Sequence, residues 1–403
     1  MKATLITLVV ALGLGLGFGD PSASAGANDF DWSGPPGSGK PFLTRAGPDG
    51  LLLTWFEPRP DRRYALRIAN RSGTRWSEPR TVTENDRFFV NWADFPSVVE
   101  TDRGVWVVHW LEKTAEKAYA YHVRLSTSRD RGRTWSAPIT AHADRSPTEH
   151  GFVAMTPSPN GGAAVTWLDG GAMVDSGGSM SVRSATLRAD GTMFNEQVLD
   201  SRTCECCQVA MARTPTGLVV AYRDRSAGEV RDIAVVRELN GRWSEPVIVA
   251  NDNWVWRACP VNGPSIATFD RSVGVAWFTA ADNQPRAKVA FSNNGGIGFA
   301  RPIVIDEGNP LGRVHLQLTG PSSGVVVWLE AKGQQAFWMA RRANATGAPG
   351  APKVIAETSR ARDGGFIRTA AVANELFLAW TDPGSQADSS RVRVARIPFS
   401  EVK

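Results

Sequence analysis

Val105-Trp106-Val107-Val108-His109-Trp110 is a short, mostly apolar run that ends in an aromatic residue. Runs of the same kind recur along the whole sequence, and each ends in tryptophan or tyrosine. The terminal aromatics are Trp55, Trp110, Trp167, Tyr222, Trp277, Trp328 and Trp380. Their successive spacings are 55, 57, 55, 55, 51 and 52 residues. A period kept from end to end is typical of a repeat array and leaves no room for a separate domain.

Each period holds the strands of one propeller blade. In the second period, an apolar strand at 95–100 precedes the run, a strand at 120–126 follows a polar loop, and a short strand at 139–140 ends the unit. Four strands in about 54 residues, with turn residues between them, are typical of a β-propeller blade. No stretch of the sequence has the 3.6-residue apolar spacing of a helix that would pack on a sheet. We therefore predict an all-β fold, a β-propeller of four-stranded blades, with seven blades favoured and six as the alternative.

The last unit ends at 391–397 without a fourth strand. Residues 30–33 lie before the first complete unit and could supply that strand. We therefore predict that the chain near Trp32 pairs beside Val392–Ala395. Such a closure would join the two ends of the ring and leave no exposed edge strand there.

The N-terminal residues have the pattern of an export signal. An apolar stretch at 5–18 is followed by a segment rich in small residues at 21–26. We expect a signal peptide at 1–25, cleaved near Ala25, and a single propeller domain at 26–403. The apolar stretch is shorter than the roughly 20 residues that a membrane helix needs, and no later segment approaches that length. We therefore expect a periplasmic or secreted protein without a membrane span.

The charge balance narrows the choice of partner. The sequence has 45 Lys and Arg against 40 Asp and Glu, a formal net charge of +5. These charges are interspersed and form no basic run, which argues against binding of nucleic acid. We expect a monomer whose partner is a glycan or another small ligand.

One turn resembles a motif of a known family. The segment Ser128-Arg129-Asp130-Arg131-Gly132-Arg133-Thr134-Trp135 is similar to the S-x-D-x-G-x-x-W turn, the Asp box, of the sialidase superfamily. Weaker copies are at 70–76, 240–243 and 292–299. The role of such a turn is local, since Ser and Asp satisfy turn amides and Gly takes a positive φ. The resemblance therefore bears on the fold far more than on catalysis.

The resemblance also implies where a ligand would bind. In propellers with Asp boxes, function belongs to the opposite face, which we call the upper face. It carries the connections from fourth to first strands and from second to third strands. The inner-strand starts, spaced by 53 to 56 residues, are Asp94, His150, Cys206-Cys207-Gln208, Cys259, Arg313 with His315, and Arg368. The second set of loops adds Glu57, Glu112, Asp169, Arg223-Asp224-Arg225, Glu330 and Asp382. Tryptophans that could stack on a sugar are Trp92, Trp254 and Trp256.

Sialidases bind their acidic sugar through three arginines and use a Tyr-Glu nucleophile pair with an aspartate acid/base. The catalytic candidates here are Tyr222, Asp94 and Asp224. Candidates for binding a ligand carboxylate are Arg223, Arg225, Arg313 and Arg368. This chain has Lys40-Pro41-Phe42 where the family carries its first Arg-Ile-Pro. We therefore expect ordinary sialidase activity to be weak or absent.

All the cysteines belong to upper-face loops. They are Cys204, Cys206, Cys207 and Cys259. Because adjacent blades place equivalent positions side by side, we predict one local cluster. It could hold a disulfide from Cys259 to one of the others, reactive thiols, or a metal. In the metal interpretation His150 and His315 join the thiolates, and Cu(I) suits the donors best, followed by Zn.

Three functions stay open from the sequence. The first is a sialidase-like propeller that binds, and could hydrolyse, a glycan at the upper central funnel; hydrolysis would require paired carboxylates. The second is a periplasmic metal-binding or thiol-redox propeller that uses the Cys and His ring. The third is a protein-interaction propeller without chemistry, since a fold does not decide a function.

Overall fold

The computed structural model describes residues 30–174, 177–384, 386 and 389–403. The signal peptide expected at 1–25 lies outside the described residues. The described chain forms thirty β-strands and four short 3-10 helices, and the strands assemble into seven antiparallel sheets. None of these helices is long and apolar enough to cross a membrane. The all-β prediction and the count of seven blades are confirmed, and the six-blade alternative is wrong.

The first half of the ring follows a short strand, β1 (Trp32–Ser33). Blade 1 contains β2 (Gly39–Ala46), β3 (Gly50–Pro58), β4 (Tyr64–Ser72), β5 (Arg75–Trp76) and β6 (Arg80–Asn85). Blade 2 contains β7 (Ser97–Glu100), β8 (Trp106–Lys113), β9 (Tyr121–Ser128) and β10 (Ile139–Thr140). Blade 3 contains β11 (His150–Pro157), β12 (Ala163–Asp169), β13 (Ser181–Leu187) and β14 (Met193–Asp200). Blade 4 contains β15 (Ala210–Thr214), β16 (Gly217–Arg223), β17 (Ile233–Leu239), β18 (Arg242–Trp243) and β19 (Val247–Ile248).

Three blades complete the ring. Blade 5 contains β20 (Ser265–Phe269), β21 (Ser272–Thr279), β22 (Arg286–Ser292) and β23 (Ile303–Val304). Blade 6 contains β24 (Pro310–Gly320), β25 (Ser323–Lys332), β26 (Gln335–Asn344) and β27 (Lys353–Thr358). Blade 7 contains β28 (Arg368–Val372), β29 (Glu375–Asp382) and β30 (Arg391–Pro398). The 3-10 helices are Gly171–Met173, Ala281–Asn283, Arg362–Gly364 and Phe399–Glu401.

The first strands of the blades surround the centre of the ring. Each contacts the first strand of the next blade, from β2 to β7 and onward to β28, which returns to β2. Within a blade, the strands are hydrogen-bonded neighbours in chain order, except that β6 pairs with β4 in blade 1 and β19 pairs with β17 in blade 4. The starts of the first strands therefore meet at one end of a central channel, as the spacing predicts.

Blade 7 takes its outer strand from the beginning of the chain. Trp32 pairs with Val394 and Ser33 pairs with Arg393, in antiparallel orientation. The indole of Trp32 packs on Trp55 of blade 1, with ring centroids 4.8 Å apart. The predicted closure is confirmed, and it ties blade 7 to blade 1.

The hydrophobic core is divided among the interfaces between neighbouring blades, in seven clusters. All seven terminal aromatics of the repeat are at most 2% exposed. A buried indole or phenol ring removes a large apolar area from water. The repeat is therefore the sequence signature of the packing between blades.

Several of these tryptophans are paired with an acid two residues later, so that the indole N–H donates to a carboxylate. The pairs are Trp55 with Glu57 at 2.9 Å, Trp167 with Asp169 at 2.9 Å, and Trp328 with Glu330 at 2.6 Å. All three acids are buried. Since buried polar groups need partners, these acids, placed on the rim by the sequence, belong to the inter-blade core.

A bend near the start of the first strand recurs in several blades. Lys40, Phe152 and Arg313 have φ values of 57°, 53° and 53°, in the region that favours glycine. In each case the backbone N–H of this residue donates a hydrogen bond to a side chain from the neighbouring blade. The acceptors are Thr381 Oγ1 at 3.0 Å, Asp94 Oδ2 at 2.7 Å and Asn262 Oδ1 at 2.7 Å, respectively. These bonds fix the bends and thus the positions of the upper-face loops.

The turn at 128–134 is organised by its own side chains. The Asp130 carboxylate accepts hydrogen bonds from the Ser128 hydroxyl at 2.8 Å and from the backbone N–H groups of Arg133 and Thr134 at 3.0 and 2.9 Å. Ser128 Oγ accepts the N–H of Gly132 at 2.7 Å. The side chains of Ser128 and Asp130 are therefore both engaged within the turn.

Candidate functional site

A small cavity of about 100 Å³ lies in the middle of the ring. Every blade contributes to its wall, through Phe42, Asp94, Phe152, Gln208, Ser265, His315 and Arg368 among others. Three predicted site residues, Asp94, His315 and Arg368, therefore face one central space.

Arg368 supplies the positive charge of this cavity. Its guanidinium carbon lies 4.0 Å from the ring centre of Phe95, and its Nε has no hydrogen-bond partner in the described part of the chain. Burial lowers the pKa of Arg368 to about 9. His315 Nδ1 is 2.7 Å from Thr369 Oγ1, and burial holds the pKa of this imidazole well below its usual range. At neutral pH the cavity thus contains a cationic guanidinium beside a neutral imidazole.

Two arginines that the sequence assigns to a ligand carboxylate are occupied by backbone carbonyls. The acceptors, at 2.6 to 3.0 Å, are Asn262, Arg231 and Phe278 for Arg223, and Gly365 and Ala361 for Arg313. Both side chains are buried between blades. Arg223 connects blade 4 to blade 5, and Arg313 connects blade 6 to blade 7. Both side chains therefore stabilise the packing between blades and do not face a ligand site.

Tyr222, the predicted nucleophile, is fully buried in the core between blades 3 and 4. Its hydroxyl donates to Asp200 Oδ2 at 2.6 Å, and burial together with Asp200 raises its pKa. Asp224 accepts the backbone N–H of Arg225 at 2.6 Å, and burial raises its pKa to about 6. The structure does not bring Tyr222 to the central cavity.

A different tyrosine lies at the upper face. Tyr121 begins β9, and its hydroxyl donates to Glu149 Oε1 at 2.6 Å. Asp94 adjoins this pair, because a methyl group added to Gly151 would meet both Asp94 Oδ2 and Tyr121 Cε2. Neither Tyr121 nor Glu149 is among the residues predicted from the sequence. The available signal was the position of Tyr121 at the start of a third strand, because third strands begin at the upper face.

The acids of this group have unusual protonation behaviour. Burial raises the pKa of Asp94 to about 8, and the nearby Glu149 contributes to the increase. Burial also raises the pKa of Glu149 to about 7, with a smaller contribution from Glu205 and an opposing one from the Tyr121 hydroxyl. Near neutral pH both carboxyls are available as proton donors, a property common at functional sites.

We expect Asp94→Asn to be more stable than the wild type at alkaline pH. The unfolded carboxyl titrates near pH 4 and the folded one near 8, so wild-type stability falls as pH rises through this window. Asn can still accept the Phe152 N–H, as Asn262 accepts that of Arg313. From pH 6 to 8 the variant should gain about 2 kcal/mol relative to wild type. Urea unfolding at both pH values measures the difference, and parallel pH profiles would refute the assignment.

The predicted stacking tryptophans have different surroundings. Trp92 stacks on Phe366 with centroids 5.7 Å apart, and Phe366 in turn packs against Phe95, which lines the cavity. Trp254 is buried with the Arg223 guanidinium 4.9 Å from its ring centre. Trp256 is 45% exposed. Of the three, only Trp256 presents a large free surface.

Arg225 belongs to an ion network on the upper face. Its guanidinium pairs with Glu229 at 2.9 Å and with Glu205. Arg231 pairs with the same two acids, at 3.0 and 3.1 Å. The network occupies the charges of both arginines and holds Glu205 in a fixed position.

The cysteines form the predicted local cluster. Cys204 Sγ lies 3.1 Å from Cys207 Sγ and 3.9 Å from Cys206 Sγ. Cys259, from the next blade, lies near Cys206 but outside the close group of the other three sulfurs. All four are free thiols in the structure. Cys204 and Cys207 are buried, whereas Cys259 is exposed.

The structure does not bring His150 to the cysteines. Its ring lies parallel to that of His142, with centroids 3.9 Å apart, and His122 packs edge-on against it at 5.2 Å. His150 Nε2 is 3.2 Å from Asp144 Oδ2. Parallel stacked rings direct their lone pairs in separate planes, which is unsuitable for one shared metal ion. His315 faces the central cavity instead.

The larger hollows of the described chain are on the opposite face. One of about 900 Å³ lies between the hairpin turns of blades 3 and 4, beside Asn160, Thr216 and Asn240. Another, of about 840 Å³, is the lower part of the central channel, beside Thr44 and Gln317. The upper face thus holds the reactive groups, and the lower face holds most of the space.

The fold and this centre define a seven-bladed β-propeller with acids and thiols on one face. The chain is similar to a polysaccharide lyase, a PL25 ulvan lyase, with 10% identity over 91% of this chain and 94% of that one, and a TM-score of 0.60. A protein of unknown function from Dyadobacter fermentans has 12% identity over 89% and 94%, with a TM-score of 0.51. A Hadza microbial sialidase has 17% identity and a TM-score of 0.45 over 72% of this chain.

The chain spans 63% of the length of that sialidase. The sequence matches no protein-family model, and no curated protein matches it. Glycan-processing enzymes are therefore among the solved structures similar to this chain, and at these identities the similarity shows the fold.

Proposed function

We propose that the protein binds a glycan on its upper face, at the junction of blades 2 and 3, and that Glu149 acts there as a general acid. The observation that carries this proposal is the 2.6 Å hydrogen bond from Tyr121 to Glu149, with Asp94 beside the pair. Glu149 is the more accessible member, because it is partly exposed while Tyr121 is buried.

The protonation state of Glu149 suits this role. A carboxyl with a pKa of about 7 is partly protonated at neutral pH, and a positioned acid can protonate a leaving oxygen. Tyr121 holds one carboxyl oxygen and leaves the other for a ligand. Asp94, mostly protonated near neutral pH, is a second proton donor beside Glu149 and not the ionised carboxylate of ordinary glycoside hydrolysis.

Aromatic rings next to Glu149 offer a surface for a sugar. Phe89 stacks on Tyr121 with centroids 4.1 Å apart, and Tyr119 packs against the edge of Phe89 at 6.3 Å. Tyr119 is 59% exposed. Sugars pack their apolar faces on such rings. The polysaccharide lyase among the similar structures supports the choice of a glycan, since it shows that this fold is compatible with such ligands.

The specificity should differ from that of sialidases. Arg223 and Arg313 are bound to backbone carbonyls, so a clamp of three arginines on a sialic acid carboxylate is not formed by these residues. We therefore still expect ordinary sialidase activity to be weak or absent.

The experiment is a panel of neutral and acidic polysaccharides, tested for binding by calorimetry and for cleavage by new reducing ends or unsaturated products. On any cleaved substrate, Glu149→Gln should lower kcat at least 100-fold without lowering the melting temperature, because a general acid contributes about 10²- to 10⁴-fold. Glu116→Gln, an exposed change in a neighbouring upper-face loop, is the matched control. Binding of no glycan, or a Glu149→Gln variant with wild-type kcat, would refute the proposal.

A further inference from the structure

We propose that Cys204, Cys206 and Cys207 form a site for one copper(I) ion, independent of the glycan proposal. The three sulfur atoms lie within 4.8 Å of one another. Two of the separations are 3.1 and 3.9 Å. With metal–sulfur bonds of about 2.3 Å, three sulfurs around one ion in a plane are about 4 Å apart. The cluster therefore needs only a small opening of the Cys204–Cys207 distance to accept an ion.

The loop that presents these thiols is anchored at both ends. On one side, the Thr203 hydroxyl and the Cys204 N–H both donate to the carbonyl of Arg223, at 2.6 and 3.0 Å. On the other side, Gln208 donates to the Ala93 carbonyl at 2.8 Å and accepts the Gly263 N–H at 3.0 Å. Blades 2, 4 and 5 thus hold the loop, so binding would order little additional chain.

Two guanidinium groups lie near the cluster. The Arg231 side chain is 3% exposed and pairs with Glu205, the residue between Cys204 and Cys206 in the sequence. Arg223 ends the strand whose last carbonyl accepts the Cys204 N–H. A thiolate is the form of cysteine that binds metals. The cluster offers three such sulfurs within range of one ion.

The donors favour copper(I) over a harder ion. The site offers three sulfurs, while the nearest acid, Glu205, is held by Arg225 and Arg231. Soft thiolates select Cu(I) and Zn, and structural zinc almost always takes four ligands. The only further cysteine is Cys259, which is exposed and adjoins Cys206 without joining the close group of three. We assign Cys259 to the solvent side of the site, where an arriving ion would first meet a thiol.

The test uses the full mature chain, reduced and kept free of oxygen. Copper(I) is offered in competition with a chromophoric copper(I) chelator, and X-ray absorption identifies the ligands. We expect one ion per chain, three sulfur neighbours, and tighter binding as pH rises, because each ligating thiol loses a proton. Cys206→Ser should weaken binding at least 100-fold, whereas the matched variant Cys259→Ser should change it less than 10-fold.

Several outcomes would overturn the assignment. One is a wild-type chain that loses copper(I) completely to the chelator. Another is a Cys206→Ser variant that binds as the wild type does. A third is preference for Zn with four sulfur neighbours and equal losses in both variants. None of these readouts involves a glycan, so failure here and failure of the glycan proposal are separable.

Discussion

Arg223→Ala should lower the free energy of unfolding by about 4 kcal/mol, one of the largest effects of any single substitution in this chain. The side chain is 1% exposed and its guanidinium bonds three backbone carbonyls, two of which, Asn262 and Phe278, lie across the boundary between blades 4 and 5. Removal leaves those carbonyls buried without donors and leaves a cavity beside Trp254. Urea unfolding of the wild type and the variant at one pH gives the difference.

The matched control is Arg225→Ala, two residues further along the chain. Arg225 is partly exposed and paired with acids on the upper face, where an ion pair contributes at most about 1 kcal/mol. Equal losses in the two variants would contradict the bracing role of Arg223. A loss of glycan binding in Arg223→Ala without a loss of stability would instead support the prediction that Arg223 binds a ligand carboxylate.

Trp32→Ala should lower the free energy of unfolding by about 3 kcal/mol. The indole lies 4.8 Å from the centre of Trp55 and 6.1 Å from that of Trp76, and its strand completes blade 7. The change therefore weakens both the core between blades 7 and 1 and the closure of the ring. The same denaturation assay measures it.

Trp256→Ala is the control for this change, since it removes the same side chain at a position that is 45% exposed. Surface substitutions usually alter stability by less than about 0.5 kcal/mol. If both variants lost the same stability, Trp32 would have no special role in closure.

The fold was predictable because the packing between blades repeats. Each interface requires one large buried ring, and this requirement placed an aromatic at nearly constant spacing from Trp55 to Trp380. The missing fourth strand of the last unit also indicated the closure by Trp32. Such features depend on burial, which a linear pattern of apolar residues records directly.

The site was less predictable because the repeat gives a position on the ring without a side-chain direction. Asp94 and Arg368 point into the central cavity, whereas Arg313 follows a bend with positive φ and reaches toward blade 7. His150 turns toward His142, away from the cysteines. These directions depend on bends and on partners from other blades, which sequence spacing does not encode.

The closure by β1 also fixes the order in which the molecule can form. Trp32 must wait for Val394, some 360 residues later, so blade 7 cannot be completed until almost the whole chain has been made. Contacts that distant in sequence close late and slow folding. The first six blades can build their sheets from consecutive segments, whereas β1 stays unpaired until β30 has been made. The outer edge of blade 7 is therefore exposed to other chains only between the folding of β30 and its pairing with β1, and aggregation through that edge should depend on how quickly the ring closes.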